Sequence, residues 1–243
     1  MPEISAKISS TLNGLTREFE IIAHNLANVS TSGYKRRVND FSKSLMAQEA
    51  AQRGEKGPEL QTALDFSQGS FVETGRSLDM ALYGNGFFVI ETPQGPLYTR
   101  HGAFNVNPNG QIVDIAGRIV AGESGPITVP PTVELSQVSV ASDGSLSAAG
   151  GVPFGKLKLV DFPDKQGKLV TVGLNCFQAP TSLEPEPAKN LIVKQGFQEG
   201  SNVQMVEELV DMIMVTRLYE ANMKFISTGG ETSKNLLDVA MSG

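Results

Sequence analysis

The chain has 243 residues, enough to bury a sizeable core, with 19% charged side chains and a formal net charge of −6. That balance argues against a nucleic-acid binder, which would need a basic face. No apolar run reaches the roughly 20 residues of a membrane span, so no direct membrane insertion is expected.

Met1-Pro2-Glu3-Ile4 lacks the basic and apolar regions of a cleaved secretory signal. A cytoplasmic protein fits that start, and so does one exported by a dedicated route without cleavage. Then Ile8, Leu12, Leu15, Phe19, Ile22, Leu26 and Val29 succeed one another at alternating steps of 4 and 3. This a/d spacing predicts a seamed helix of about 25 residues, roughly 38 Å long. Gly14 inside it costs about 1 kcal/mol relative to Ala. Ser30-Thr31-Ser32-Gly33 supplies breakers, which place the helix end near Asn28 to Gly33. The basic run Lys35-Arg36-Arg37 reads as a solvated segment or an intersubunit contact. Residues 36–65 read as an extended linker, Gly54 to Glu59 within them included.

From residue 66 to 194 the helical period disappears. Asn85-Gly86, Asn109-Gly110 and Asp143-Gly144 each lie between short apolar runs, which is the signal for hairpins with type I′ turns. Leu157–Val160 and Leu169–Val172 add two strands, so this stretch predicts an all-β domain. Ala179 to Lys189, with Pro180, Pro185 and Pro187, reads as a second, stiff linker. The single cysteine, Cys176, cannot form an internal disulfide and reads as a small buried strand residue.

Residues 195–243 return to the helical pattern. Met205, Leu209, Met212, Thr216, Tyr219, Met223, Ile226, Gly230, Ser233, Leu237 and Ala240 keep the 4, 3 alternation, and Val206, Val210 and Ile213 widen the apolar face. Ser201 with Gln204 reads as a capping box, and Glu207 and Glu208 suit the positive end of the helix dipole. Gly229-Gly230 threatens a kink. The expected class is α+β, with a discontinuous helical coiled-coil domain from residues 1–35 and 195–243 and a central all-β domain.

A search for chemistry finds little. His24 and His101 have no Cys or His at metal spacing, and Gly84-Asn85-Gly86 precedes a strand rather than the helix a phosphate loop needs. Nothing in the sequence pairs Glu73, Asp79 and Asp114. The expectation is a protein that is not an enzyme, with no cofactor, no metal and no small-molecule substrate. A wall hydrolase and a secreted binding module are the competing classes.

Three segments carry a resemblance. Asn25-Leu26-Ala27-Asn28-Val29-Ser30-Thr31-Ser32-Gly33-Tyr34 resembles the N-terminal signature of the bacterial flagellar rod and hook proteins. Leu82 to Ile90, followed by Tyr98-Thr99-Arg100-His101-Gly102-Ala103-Phe104, is similar to their central signature. Gly200-Ser201-Asn202-Val203-Gln204, with Arg217 and Tyr219-Glu220-Ala221-Asn222, is similar to their C-terminal one. Ser32 stands where the family usually has Pro. Within the family, Gly125 to Pro130, Gly155 to Val160 and the short 36–65 segment resemble the proximal-rod branch more than the distal one.

The resemblance implies a structural subunit of the basal-body rod that leaves the cell through the flagellar type III export apparatus. It would polymerise in the periplasm with itself and other rod proteins, and carry torque. It also makes the seams the expected assembly interface. Those residues are Ile8, Leu12, Leu15, Phe19, Ile22, Asn25, Leu26, Asn28, Gly33 and Tyr34 at one end, and Leu209, Met212, Ile213, Tyr219, Met223 and Ile226 at the other.

Overall fold

The computed structural model describes residues 2–39, 62–163 and 165–241, without the side chains of 2–8 and 230–241. Gly54 to Glu59, expected as linker, lies outside the described residues. The class is mixed α+β, and the chain divides into two compact units.

The first unit comprises Met1–Ala27, Arg37–Ala63 and Gln204–Gly243. Its helix α1 runs over Pro2–Ala27, 26 residues and about 39 Å. Its helix α2 runs over Met205–Met241, 37 residues and about 56 Å, and passes through Gly229-Gly230 without a break. The helix expected over 1–35 thus stops at Ala27, and the one expected over 195–243 starts at Met205. The two helices pack on each other and run antiparallel. Asn25 near the end of α1 meets Glu208 in the first turn of α2, while Leu15 and Phe19 share a groove with Val215 and Tyr219.

The expected capping box does not form. Ser201 lies too far upstream of the helix, and its hydroxyl accepts the Val203 N–H at 3.2 Å. The first helical bond runs from Glu208 N–H to the Gln204 carbonyl at 3.1 Å. The described ends of the first expected linker, Arg37–Asn39 and Thr62–Leu64, are strands that pair with each other.

The second unit comprises Asn28–Arg36 and Leu64–Val203. A ten-stranded sheet dominates it. From one edge its order is Val170–Thr171, Cys176–Gln178, Leu97–Thr99, Phe87–Glu91, Ile119–Gly122, Ile112–Val113 and Asn105–Val106. Leu159–Asp161 also pairs with Phe87–Glu91 and carries Glu186–Pro187 on its other side. The run Phe87-Phe88-Val89-Ile90 is apolar throughout because this strand is covered on both faces. Phe87 and Val89 enter one core with Tyr98, Phe162, Leu169 and Phe177. Phe88 and Ile90 enter the other with Met80, Leu82, Phe104 and Ile112.

Two of the three expected hairpins form, but none has a type I′ turn. Asn105–Val106 pairs with Ile112–Val113, and Ser139–Val140 pairs with Ser145–Ser147. In each only the glycine is left-handed, Gly110 at φ +80° and Gly144 at φ +85°. The second turn is closed by Gly144 N–H to the Ala141 carbonyl and held by the Asp143 carboxylate accepting Ser145 N–H at 3.1 Å. Asn85-Gly86 closes no hairpin. Met80–Tyr83 pairs instead with Ile192–Gln195, so Gly84-Asn85-Gly86 carries the chain from one sheet to another.

The Pro-rich segment is not a free linker either. Leu183 is buried in the second core, and Glu186–Pro187 pairs with Val160–Asp161. An edge strand tolerates a residue that has no N–H to donate. Phe197–Glu199, expected within the C-terminal helical segment, is a strand paired with Phe71–Glu73.

Candidate assembly interface

The 4, 3 spacing gives α2 more apolar surface than α1 covers. Among its described side chains only Glu208 and Val215 are buried. Asp211, Met212 and Asn222 are half-buried. Val206 is 73% exposed, Ile213 57% and Phe225 65%, and Leu209, Val210, Met214, Leu218, Tyr219, Met223 and Ile226 are also exposed. At its start the face turned toward α1 is offset by one residue from the expected seam, with Glu208 buried in place of the exposed Leu209. Further on, Val215 is buried and the seam positions Thr216 and Tyr219 line the same groove with Leu15 and Phe19.

A polar clasp sets that offset. The Asn25 side chain is fully buried on α1. Its amide nitrogen donates to the Arg37 carbonyl at 2.9 Å and to both Glu208 carboxylate oxygens at 3.3 Å. Its amide oxygen accepts the Arg37 N–H at 2.8 Å. A buried carboxylate needs such donors, so Glu208 is drawn inward at the expense of its apolar neighbour. Of the expected α1 residues, Ile22 is buried, Leu12, Leu15 and Leu26 are half-buried, and Phe19 is 43% exposed. The Ile8 side chain lies outside the described ones.

Asn28, Gly33 and Tyr34 belong to the second unit, where Gly33 and Tyr34 are buried. Gly33 has φ +69°, and a Cβ there would sit 2.5 Å from the His101 backbone nitrogen. Its N–H donates to the Glu199 carbonyl at 2.7 Å. Both the positive φ and the close approach require glycine.

Beside them lies an ionic cluster that the sequence reading missed. Lys35, whose basic run reads as a solvated segment or an intersubunit contact, has a fully buried side chain. Its ammonium donates to Glu199 Oε1 at 2.7 Å and to the Ser67 carbonyl at 2.6 Å. Arg100 donates to Glu199 Oε2 at 3.3 Å, to the Leu82 carbonyl at 3.2 Å and to the Gly84 carbonyl at 2.7 Å. Gly69 N–H adds a further donor to Glu199 Oε1 at 3.1 Å. Burial holds the Lys35 ammonium and the Arg100 guanidinium below their ordinary pKa values, and Glu199 opposes the shift in both. The partners are 164 and 99 residues apart in sequence, so no local pattern could have paired them.

His101 is held below its ordinary value by burial, against the pull of Asp114 and Asp79. Cys176 is raised by burial, against Arg118, whose guanidinium donates to its Sγ at 3.0 Å. Among the described residues, no group of three His, Cys, Asp or Glu side chains could hold a metal ion, and no helix is long and apolar enough to cross a membrane. What the geometry does offer is packing surface, the exposed apolar face of α2 and the groove it shares with α1.

Comparison with known proteins gives three family matches. Residues 9–35 match the family described as Flagella basal body rod protein. Residues 81–148 match Flagellar hook protein FlgE/F/G D1 domain, and residues 194–239 match Flagellar basal body rod FlgEFG protein C-terminal. The flagellar basal-body rod protein FlgF of Caulobacter vibrioides is 34% identical over 231 residues, covering 92% of each chain. The rod protein FlgG of Agrobacterium fabrum is 34% identical over 249 residues, covering 89% of this chain and 93% of its own. FlgF of Salmonella typhimurium is 34% identical over 241 residues, covering 92% and 90%.

Proposed function

The chain belongs to the flagellar basal-body rod protein family, and from that premise we propose that it is a structural subunit of the bacterial flagellar rod, of the proximal FlgF kind. It works in the basal body by packing, not catalysis. It polymerises around the export channel with further copies and other rod proteins, after delivery by the flagellar type III export apparatus. It carries torque from motor to hook.

The exposed apolar surface of α2 carries this reading. Each half-exposed Val, Leu or Ile there has roughly 1 kcal/mol to gain from burial. Many such residues fall between Val206 and Ile226 on one helix. A patch of this kind is a contact surface. Neighbouring subunits supply the cover by pairing the α1 and α2 seams as coiled coils. Close-packed seams resist sliding, because displaced side chains lose contacts before they gain new ones, and this suits a shaft under torsion. FlgF and FlgG relatives match about equally, so the proximal assignment rests on Gly125 to Pro130, Gly155 to Val160 and the short 36–65 segment.

The test is rod incorporation of Leu15→Asp and Leu209→Asp. Both variants should be absent from purified basal bodies while the second unit keeps its near-ultraviolet circular dichroism. Normal incorporation of both overturns the reading. Gold labelling along isolated rods tests the branch: label at the motor end supports the proximal assignment, and label at the hook end replaces it with the distal, FlgG-like one.

A further inference from the structure

We infer that Glu199 closes a two-ended latch, so that the second unit completes its fold only when the segments following α1 and preceding α2 are both in place. Glu199 is fully buried and holds groups from three other parts of the chain, Lys35, Gly69 and Arg100. Lys35 enters with residues 28–36, and Glu199 with residues 197–203. Neither segment lies within the central stretch of alternating strands, yet Arg100, at the heart of that stretch, is buried against both.

The surrounding bonds tie the same two segments together. Arg36 N–H donates to Asn202 Oδ1 at 2.7 Å, and Asn202 donates to the Asp65 carbonyl at 2.9 Å. The Ser32 hydroxyl donates to Gln198 Oε1 at 2.7 Å, and Gln198 donates to the fully buried Asp79 carboxylate at 2.7 Å. Glycines bring the backbones into direct contact. A Cβ at Gly69 would run into the Gly200 carbonyl oxygen, and one at Gly33 into the His101 backbone.

Remove either segment and a buried charge loses its counter-ion. Without residues 197–203, Lys35 and Arg100 lose their shared carboxylate. Without residues 28–36, the cluster loses one of its two cations and the shorter of the two donors to the Ser67 carbonyl. Breaking a buried pair on one side is far more costly than never having built it. The latch segments and the central strands therefore form one cooperative unit. This follows from the geometry of the second unit and does not rest on its reading as a rod subunit.

Native-state hydrogen exchange on the full chain tests the latch without any substitution. The Gly33 and Gly200 amides, bonded to the Glu199 and Ser70 carbonyls, should open with the same free energy as those of Phe87–Ile90. Glu199→Gln should lower protection at all three places together, on the order of a hundredfold. Adding Lys35→Met to Glu199→Gln removes one stranded cation and should recover part of that loss. The inference is overturned if Gly33 and Gly200 exchange well before Phe87–Ile90 in the unaltered chain. It is also overturned if Glu199→Gln loosens only residues 197–203, or if Lys35→Met deepens the defect.

Discussion

Replacing Asn25 with Ala removes the clasp between the two helices at a position with no exposure to water. Two hydrogen bonds to the Arg37 backbone disappear, each worth about 1 kcal/mol. The Glu208 carboxylate also loses a donor at 3.3 Å, a charged interaction worth about 1.5 kcal/mol at that length. The first unit should therefore lose about 3–4 kcal/mol. Asn25→Asp keeps the acceptor for the Arg37 N–H but puts a second carboxylate against Glu208. Its loss should exceed that of the Ala variant at neutral pH. It should shrink in acid, because the folded pair then binds a proton more tightly than the unfolded chain does and stability rises as pH falls. Urea unfolding followed by far-ultraviolet circular dichroism, at constant slope with denaturant, measures both. A loss below about 1 kcal/mol for Asn25→Ala, or an Asp variant no worse than Ala at neutral pH, would refute the reasoning.

Two further outcomes follow from buried titratable groups. His101 sits below its ordinary 6.5 through burial, so as pH falls past that value the unfolded chain takes up the proton first and stability drops. His101→Gln should flatten that acid limb in a series of urea midpoints, and an unchanged limb would assign it elsewhere. The Cys176 thiol is 2% exposed and shifted upward, so it should react with an aromatic disulfide at least about 100-fold more slowly than free cysteine until urea is added. Fast labelling of the native chain would contradict the burial.

The helices were legible from residue order because an a/d seam is a local signal. The offset in α2 was not, since Glu208 is drawn inward by Asn25, 183 positions away. Glu208 had a sufficient local explanation at the helix N-terminus, and that explanation hid its partner. The same limit applied to Lys35. Its neighbours Arg36 and Arg37 made a basic run of it, and only Glu199, brought in by the strand Phe197–Glu199, explains its burial. The turn dipeptides marked two hairpins correctly, but they fix where the chain reverses and not which strand lies alongside. Tyr83 therefore pairs with Ile192 and not across Asn85-Gly86. The exposed α2 face was foreshadowed by Val206, Val210 and Ile213, extra apolar residues beyond what one narrow seam can cover.

The chain passes from one compact unit to the other at 27/28, 36/37, 63/64 and 203/204. Neither unit is therefore a contiguous fragment. A protease that cuts at any one of these crossings frees no complete unit, because other covalent strands still join the remainder. The same threading governs fragment design. A fragment of residues 66–194 omits both latch segments, whereas residues 28–203 keep the second unit whole at the expense of carrying 37–63 as a passenger. Exchanging the first unit between related subunits likewise means replacing three separate stretches of sequence at once.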